Sequence, residues 1–318
     1  ELFGMPVRKE DSEMEQVYLD IGASIQLVLE EVLLKMVNHV YNTTKQKNLC
    51  LCGGVALNGV ANNRILKEGP FERLHIPPSP GDAGSAIGCA LYAYFSYRKN
   101  NRKLSDSQQA VINNVYVGPE FSNEEIQKFL DSMKIPYNKL DMADLIKKTA
   151  KLIADDNVVG WYQGRMEWGP RALGNRSILA NPRNPAMKDI LNEKIKHRES
   201  FRPFAPSILE EYSSEYFDID VPSPYMLLVT KVKKPDLIPA VTHVDGTGRL
   251  QTVSKTSNPL YYELISEFNR ITGVPVIINT SMNVRGEPIV NTPKEAFGMI
   301  TKTDMDYLIM GNYMIPRA

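Results

Sequence analysis

Apolar residues recur at helical spacing between positions 25 and 40 of the chain. Val28, Val32, Met36 and Val40 follow one another at steps of four, and charged side chains such as Glu31 occupy positions between them. Residues four apart lie on the same face of a helix. The pattern therefore predicts a long amphipathic helix near the start of the chain.

The rest of the first third alternates short apolar runs with glycine- and proline-containing turns. Gly53 and Gly54 end the first run, and residues 77–82 separate the second run from a segment rich in small residues. Glycine and proline interrupt regular structure. We expect strands at residues 48–52 and 74–76, and helices at residues 55–66 and 83–97.

Helix-start signals and β-rich runs alternate in the second half. Ser122 and Glu125 have the spacing of a capping box, which recurs at positions 292 and 295. Asn184 before Pro185 is typical of a helix start. We expect helices at residues 122–133 and 141–154 and from residues 184 and 292, and strands at residues 115–117, 158–162, 225–231, 274–278 and 307–310.

Composition and charge narrow the class of protein. Among 318 residues, Lys+Arg equals Asp+Glu at 37 each, so the overall charge predicts no general affinity for nucleic acid or membrane. Cys50, Cys52 and Cys89 form neither an even disulfide framework nor a CxxC pair. We expect a soluble cytoplasmic protein with α/β organisation.

Basic residues concentrate in residues 164–204, where nine Lys or Arg face four Asp or Glu, a local excess of five positive charges. The arginines of residues 164–177 lie among glycines and a proline, which is poor material for an exposed helix face. Glycines let backbone amides approach a ligand, and arginines pair bidentately with phosphate or carboxylate oxygens. The segment predicts an anion site, for which phosphate, nucleotide and nucleic acid all stay open.

Three further features suggest binding but have ordinary structural explanations. The segment 279–288 follows a predicted strand with small polar side chains, and it would suit either a sheet-edge crevice or a turn. Gly53 and Gly54 precede a helix, where they would hold a phosphate or only shape the turn. Asp82 would be a metal ligand or a helix cap. The four histidines show no paired metal-ligand spacing.

The chain resembles the carbamoyltransferases of the NodU/CmcH type. The resemblance covers nearly the whole chain, in family order, and rests on the motifs GGVALN (53–58), PPSPGDAG (77–84), GWYQGRMEWGPRALGNRSILANPR (160–183), ESFRPFAPSIL (199–209), THVDGTGRLQTV (242–253) and NTSMNVRGEPIVNTP (279–293).

The resemblance implies two domains. Residues 1–110 would be the C-terminal part of an actin-like ATPase (ribonuclease H-like) domain, and residues 111–318 a YrdC-like domain with a twisted α/β sheet. The family's phosphate loop and metal-binding histidine pair have no counterpart here. The resemblance therefore implies an N-terminally truncated chain that lacks the transfer step.

In such enzymes carbamoyl phosphate and ATP give carbamoyl-adenylate, and the carbamoyl group passes to the hydroxyl of a small-molecule acceptor in biosynthesis. The resemblance gives catalytic roles to Arg171, Arg176 and Arg198. It assigns the binding of carbamoyl phosphate or nucleotide to Arg165, Asn175, Ser177, Lys196, Arg202, Asn279, Ser281, Asn283, Arg285, Gly53, Gly54 and Asn58.

The same resemblance places Asp82 in a metal site. It implies Mg²⁺ beside ATP, and Fe²⁺ or another divalent metal in a complete actin-like domain. Two alternatives stay open: a threonylcarbamoyl-adenylate-type synthase, and an RNA- or nucleotide-binding YrdC-like module without catalysis. The balanced charge argues against a nucleic-acid partner. Whether the chain forms a homodimer is also left open.

Overall fold

The computed structural model describes residues 4, 6–9, 12–101 and 115–317. The chain forms two compact units, one of Glu1–Leu51 with Val60–His75 and one of Cys52–Gly59 with Ile76–Ala318. The predicted domain boundary between residues 110 and 111 lies outside the described residues. Across the described ranges, no helix is both long and apolar enough to cross a membrane.

The first unit is a small α/β assembly. Its core joins Leu33 and Val37 of the first helix to Ala61 and Ile65 of the second. The two strands pair in parallel, which confirms the predicted strand, turn, helix, strand order. The elements are α1 (Gln16–Thr44), β1 (Asn48–Cys50), α2 (Gly59–Glu68) and β2 (Arg73–His75).

The first helix is confirmed but is longer than the apolar pattern predicted. Leu33 and Val37 are its buried residues. Val28 and Met36, which the four-residue pattern singled out, are 58% and 57% exposed. The face of α1 that packs in the unit is therefore the one carrying Leu33 and Val37.

The second unit begins with two short helical segments. Gly54–Leu57 is a single 3₁₀ turn, so the predicted helix at residues 55–66 is interrupted before α2 begins at Gly59. A second 3₁₀ turn, Asp82–Gly84, leads into α3 (Ser85–Leu91), which continues as a π-helical segment over Tyr92–Tyr97.

The remaining described residues build the main sheet and its helices. In chain order they form α4 (Asn123–Ser132), β3 (Asn138–Lys139), α5 (Met142–Ala154), β4 (Val159–Tyr162), β5 (Arg176–Ala180), α6 (Met187–Ile190), β6 (Ala205–Leu209), α7 (Ser213–Tyr216), β7 (Leu228–Lys231), β8 (Thr247–Val253), α8 (Pro259–Thr272), β9 (Val276–Ser281), α9 (Pro293–Lys302), β10 (Tyr307–Met310) and β11 (Tyr313–Pro316).

The sheet has nine strands in the order β3-β11-β10-β4-β5-β9-β6-β8-β7. The pairs β4–β10 and β6–β8 are parallel, and the other pairs are antiparallel. Every residue of β4, β5 and β6 is buried. Strands buried on both faces lie at the centre of a layered α/β structure. The predicted α/β class is confirmed.

Local capping signals are also confirmed. The Ser122 amide donates to Glu125 Oε2 at 2.7 Å, and the Glu125 amide donates back to Ser122 Oγ at 3.2 Å. A second capping box opens α9 with Thr292 and Glu295. Each box satisfies amides that a helix start otherwise leaves unpaired.

Two predicted helix and strand starts were wrong. The helix expected from Asn184 begins at Met187, because the Asn184 side chain accepts from the Ala186 amide and forms a turn instead. Residues 115–117 form no strand, and Tyr116 makes only an isolated bridge with Glu167.

Two other strands are displaced from their predicted positions. The strand expected at residues 225–231 begins at Leu228, because Met226 has a left-handed φ of 56°. The strand expected at residues 274–278 is β9, which starts at Val276 and runs through Ser281. Its extra residues carry the polar side chains Asn279 and Ser281 into the sheet.

Candidate functional site

Three arginines from separate parts of the second unit line one small cavity. Arg171 comes from the loop between β4 and β5, Arg198 follows α6, and Arg249 lies on β8. The cavity has a volume of about 110 Å³. Its other lining residues are Pro170, Ala172, Pro203, Phe204, Ala205, Met226, Asn279, Thr280 and Ser281. We call it the arginine cavity.

The arginine cavity concentrates positive charge away from water. Burial lowers the pKa of Arg171, and burial together with the charges of Arg171 and Arg198 lowers the pKa of Arg249 to about 9. The Nε atoms of Arg171 and Arg249 are buried and have no hydrogen-bond partner among the described residues. Burying several cations together carries a large desolvation free energy unless an anion binds between them. The cavity is therefore suited to an anion rich in oxygen atoms.

Arg198 is oriented by its neighbours. Its Nε donates to Asn192 Oδ1 at 2.7 Å, and its guanidinium lies 4.8 Å from the centre of the Phe204 ring. Burial and the charge of Arg202 lower the pKa of Arg198, and Glu199 partly opposes the shift. A guanidinium held by a side-chain acceptor and an aromatic face loses little freedom when it binds an anion.

Lys196 lies next to this cluster and is 3% exposed. Its Nζ donates to the Ser281 carbonyl, and to the carbonyl and side-chain oxygens of Asn283 at 2.9 Å each. Burial and the nearby Arg198 lower the pKa of Lys196 to about 7. The structure therefore brings Lys196 together with Ser281 and Asn283, two predicted binding residues that are far from it in the sequence.

The loop that carries Arg171 is folded around a buried carboxylate. Glu167 Oε1 accepts from the backbone amides of Leu173 and Asn175 at 2.7 Å each, and from that of Arg176 at 3.2 Å. Burial raises the pKa of Glu167, although these hydrogen bonds oppose the shift. The Glu167 carboxylate thus fixes the path of the loop on the C-terminal side of Arg171.

Side chains from the sheet hold the same loop from the other direction. Asn279 Nδ2 donates to the Ala172 carbonyl at 3.2 Å, and Gln251 Nε2 donates to the Leu173 carbonyl at 2.8 Å. Gly174 has φ of 112°, and a Cβ there would lie 2.3 Å from the Tyr261 ring. The loop therefore requires glycine at this position, both for its conformation and for the space it leaves.

Arg176, Asn175 and Ser177 do not line the arginine cavity. The Arg176 guanidinium lies 3.8 Å from the centre of the Tyr162 ring and donates to the carbonyls of Gln163 at 2.7 Å and Gly164 at 3.0 Å. Asn175 Nδ2 donates to the Arg165 carbonyl, and Ser177 Oγ accepts from the Gly174 amide. These contacts support positioning of the loop, so the predicted catalytic role of Arg176 finds no support in its geometry.

The other predicted arginines pair with acidic side chains. Arg165 lies 3.4 Å from Glu120, with 55% of its side chain exposed. Arg202 Nε contacts Glu199 at 2.8 Å, and Arg285 lies 3.9 Å from the same carboxylate. They lie near the surface, and none of the three lines the arginine cavity.

The predicted residues of the first third lie on two adjoining loops. Gly53 has φ of 105°, and its amide donates to the Pro80 carbonyl at 2.7 Å. Gly54 lies close to Gly81 of the other loop, since a Cβ on Gly81 would be 3.8 Å from the Gly54 Cα. Asn58 closes the turn through its amide to the Val55 carbonyl. None of these lines the arginine cavity.

The structure does not support a metal site at Asp82. This residue is exposed and opens the 3₁₀ turn Asp82–Gly84. Among the described residues, no group of three or more His, Cys, Asp or Glu side chains could hold a metal ion. A divalent ion needs several such ligands or a bound phosphate. The residues here do not fit a protein-held Mg²⁺ or Fe²⁺, and we derive no step through either ion.

Two residues of the candidate site were not predicted from the sequence. Arg249 lies within the motif THVDGTGRLQTV, but it was not identified because its role depends on the parallel pairing of β6 and β8. Glu167 lies in the loop between β4 and β5 that carries Arg171, which we call the arginine loop. An acidic residue looks unfavourable for an anion site at this position. The signal available was its position among glycines and backbone amides that need an acceptor.

Comparison with known families identifies the family of the chain. Sequence models described as the carbamoyltransferase C-terminus and the carbamoyltransferase N-terminus match residues 150–317 and 1–91. The chain belongs to the carbamoyltransferase family. The C-terminal match contains all three cavity arginines, so the arginine cavity lies within the region that the carbamoyltransferase C-terminus model matches.

Curated relatives of this chain include nodulation proteins. A protein of Synechocystis sp. named "Uncharacterized protein sll1178" is 46% identical over all of this chain and 55% of its own length. "Nodulation protein NolNO" of Sinorhizobium fredii is 40% identical over 99% of this chain and 46% of its own length. The chain therefore spans about half the length of the curated relatives it matches.

A solved structure of full-length HypF in the phosphate- and nucleotide-bound form is similar to part of this chain. The TM-score is 0.39 and the identity 18%, over 55% of this chain and 22% of HypF.

Proposed function

We propose that the arginine cavity binds the phosphoryl groups of carbamoyl phosphate and ATP and that this part of the carbamoyltransferase forms carbamoyl-adenylate. The observation that carries the proposal is the convergence of Arg171, Arg198 and Arg249 on one small cavity, where the buried Nε atoms of Arg171 and Arg249 lack partners among the described residues. Arginine forks match phosphate oxygens in geometry and charge.

The proposed formation of carbamoyl-adenylate consists of two displacement steps. Water attacks carbamoyl phosphate and releases inorganic phosphate, leaving carbamate. A carbamate oxygen then attacks the α-phosphorus of ATP, and pyrophosphate leaves as the bond to the β-phosphate breaks. Both steps move negative charge onto phosphoryl oxygens, which fixed cations stabilise without reorganising.

The residues in and beside the arginine cavity would have separate roles in binding and proton transfer. Arg171 and Arg249 would hold phosphoryl oxygens through the nitrogens that face the cavity. Lys196, with its pKa lowered to about 7, would gain or lose a proton beside the leaving group at neutral pH. Passage of the carbamoyl group to an acceptor hydroxyl is proposed for the complete protein, since this chain spans about half of its relatives.

Calorimetric titration tests the proposed binding site. We expect pyrophosphate and freshly prepared carbamoyl phosphate to bind the wild type, and Arg171→Ala to weaken both by at least about tenfold, because one charge-assisted fork is lost. Arg270→Ala is the matched control, because Arg270 is 70% exposed on α8 and pairs with Glu267. Equal affinities in the wild type and Arg171→Ala would contradict the proposal.

A further inference from the structure

A buried asparagine lies behind the arginine cavity without lining it. Asn192 is part of the π-helical segment Leu191–Lys196, which continues α6, and it is only 1% exposed. The segment ends at His197, where a left-handed φ of 48° reverses the chain. π-Helical turns are rare and often occur at functional sites. In this chain the irregular segment ends just before Arg198, one of the three arginines that line the cavity.

Asn192 holds the loop that follows it through both its backbone and its side chain. Its carbonyl accepts from the Arg198 amide at 3.1 Å, and its Oδ1 accepts from Arg198 Nε at 2.7 Å. Its Nδ2 donates to the carbonyls of Ser200 at 3.2 Å and Arg202 at 2.9 Å. A single amide side chain therefore fixes both the Arg198 side chain and the backbone that carries it.

The bond to Asn192 is the contact that sets the plane of the Arg198 guanidinium. The Phe204 ring lies 4.8 Å from the guanidinium and leaves it free to rotate in its own plane. Nη2 lies 3.4 Å from the Pro203 carbonyl, which is longer than an ordinary hydrogen bond. An arginine that is already held in one orientation loses less freedom when it binds an anion than a mobile one does.

We propose that Asn192 is a positioning residue, which fixes the Arg198 guanidinium toward the arginine cavity without touching the ligand. The inference rests on the proposed function, because it takes the arginine cavity as the phosphoryl site. Alanine at this position would keep the backbone bond to Arg198 but remove the acceptor of its Nε and the donor to Ser200 and Arg202. Anion binding would then have to order the Arg198 side chain, which weakens the affinity.

The orientation of Arg198 can be measured without a ligand. The ¹⁵N order parameter of its Nε–H group, assigned through the loss of that signal in Arg198→Lys, reports motion on the ps–ns timescale. We expect it to fall below about 0.6 in Asn192→Ala, the range of flexible groups. Asn192→Asp keeps an acceptor oxygen and should keep the group ordered. An unchanged order parameter in Asn192→Ala would contradict the proposal.

A larger apolar substitution makes the same test if Asn192→Ala does not fold. Asn192→Leu preserves much of the side-chain volume and removes the same acceptor, so it should release the Arg198 Nε–H group as well. Order retained in Asn192→Leu would contradict the proposal.

Pyrophosphate titration tests whether this orientation serves the arginine cavity. By calorimetry, Asn192→Ala should weaken pyrophosphate about three- to tenfold, as expected when one long side chain has to be immobilised on binding. If Asn192 acts through Arg198, the double variant of Asn192→Ala with Arg198→Ala should bind no more weakly than Arg198→Ala alone. Additive losses in the double variant would contradict the positioning role.

Asn181→Ala is the matched control. Asn181 is also buried, its Oδ1 accepts from Arg183 Nε at 3.0 Å, and its Nδ2 donates to Asp156 at 2.7 Å. None of these three residues lines the arginine cavity, so this variant should bind pyrophosphate as the wild type does. Equal losses of affinity in Asn181→Ala and Asn192→Ala would contradict the proposal. A wild type that orders Arg198 through Asn192 but binds no pyrophosphate would support the positioning of Arg198 and contradict the proposed function.

Discussion

Lys196 shows how burial shifts the pKa of a single side chain into the neutral range. Its amine is surrounded by oxygens of Ser281 and Asn283, yet removal from water and the charge of Arg198 lower its pKa to about 7. An ordinary lysine would stay charged throughout the neutral range. Lys196 can therefore respond to pH where a surface lysine cannot.

Anion binding should depend on pH through this residue. At about pH 6 Lys196 carries a proton and attracts pyrophosphate, and at about pH 8.5 it is mostly neutral. The ratio of wild-type to Lys196→Met affinity should therefore be larger at the lower pH, and taking the ratio cancels the titration of pyrophosphate itself. Calorimetry at both pH values measures it. A ratio that does not change with pH would show that Lys196 keeps one protonation state.

Single residues also show what the sequence could reveal of the candidate site. The local excess of basic residues in residues 164–204 predicted an anion site, and the structure brings Arg171, Lys196 and Arg198 together. Arg249 was missed because only the sheet brings it to the other two arginines. The catalytic role of Arg176 stays a prediction. Its stacking on Tyr162 and its carbonyl partners, which are not visible in the sequence, hold it outside the arginine cavity.

At the scale of elements, side-chain hydrogen bonds fix the conformation of the arginine loop between β4 and β5. Glu167 holds three of its amides, and Asn279 and Gln251 hold two of its carbonyls. Gly174 lies between these anchors, against the Tyr261 ring. The position of Arg171 therefore depends on how closely this loop packs against α8.

Gly174→Ala tests that packing. The new Cβ would lie 2.3 Å from the Tyr261 ring and would force a strained φ, so we expect a loss of about 3 kcal/mol or more in the free energy of unfolding. Gly273→Ala is the control, because Gly273 also has positive φ but faces open space. It should cost only about 1 kcal/mol. Urea unfolding compares them, and equal losses would contradict close packing at Gly174.

Helix starts marked by a capping box were predicted well, whereas several strands whose limits depend on distant partners were not. Capping boxes at Ser122 and Thr292 fixed two helix starts, because the partners lie three residues apart. The strand at residues 225–231 was placed too early because nothing nearby shows that Met226 is left-handed. β5 was not predicted, since its pairing with β4 and β9 comes from residues far along the chain.

At the scale of the whole molecule, the distribution of charge says more about ligand binding than the net charge does. The chain is neutral overall, yet three arginines share one cavity. The balanced charge argued against general nucleic-acid binding, and the local excess predicted an anion site without identifying the anion. The matched carbamoyltransferase C-terminus contains these arginines, which supports the proposed binding of phosphoryl groups there.

Exchange of labelled pyrophosphate into ATP tests carbamoyl-adenylate formation most directly, since reversal of that step is the route by which label enters ATP. We predict exchange in the wild type that requires carbamoyl phosphate. Arg249→Ala should reduce it roughly 100-fold or more, as deletion of one transition-state donor does, whereas Arg270→Ala should leave it unchanged. Exchange that persists in Arg249→Ala, or its absence from folded wild type that binds carbamoyl phosphate, would contradict adenylation at the arginine cavity.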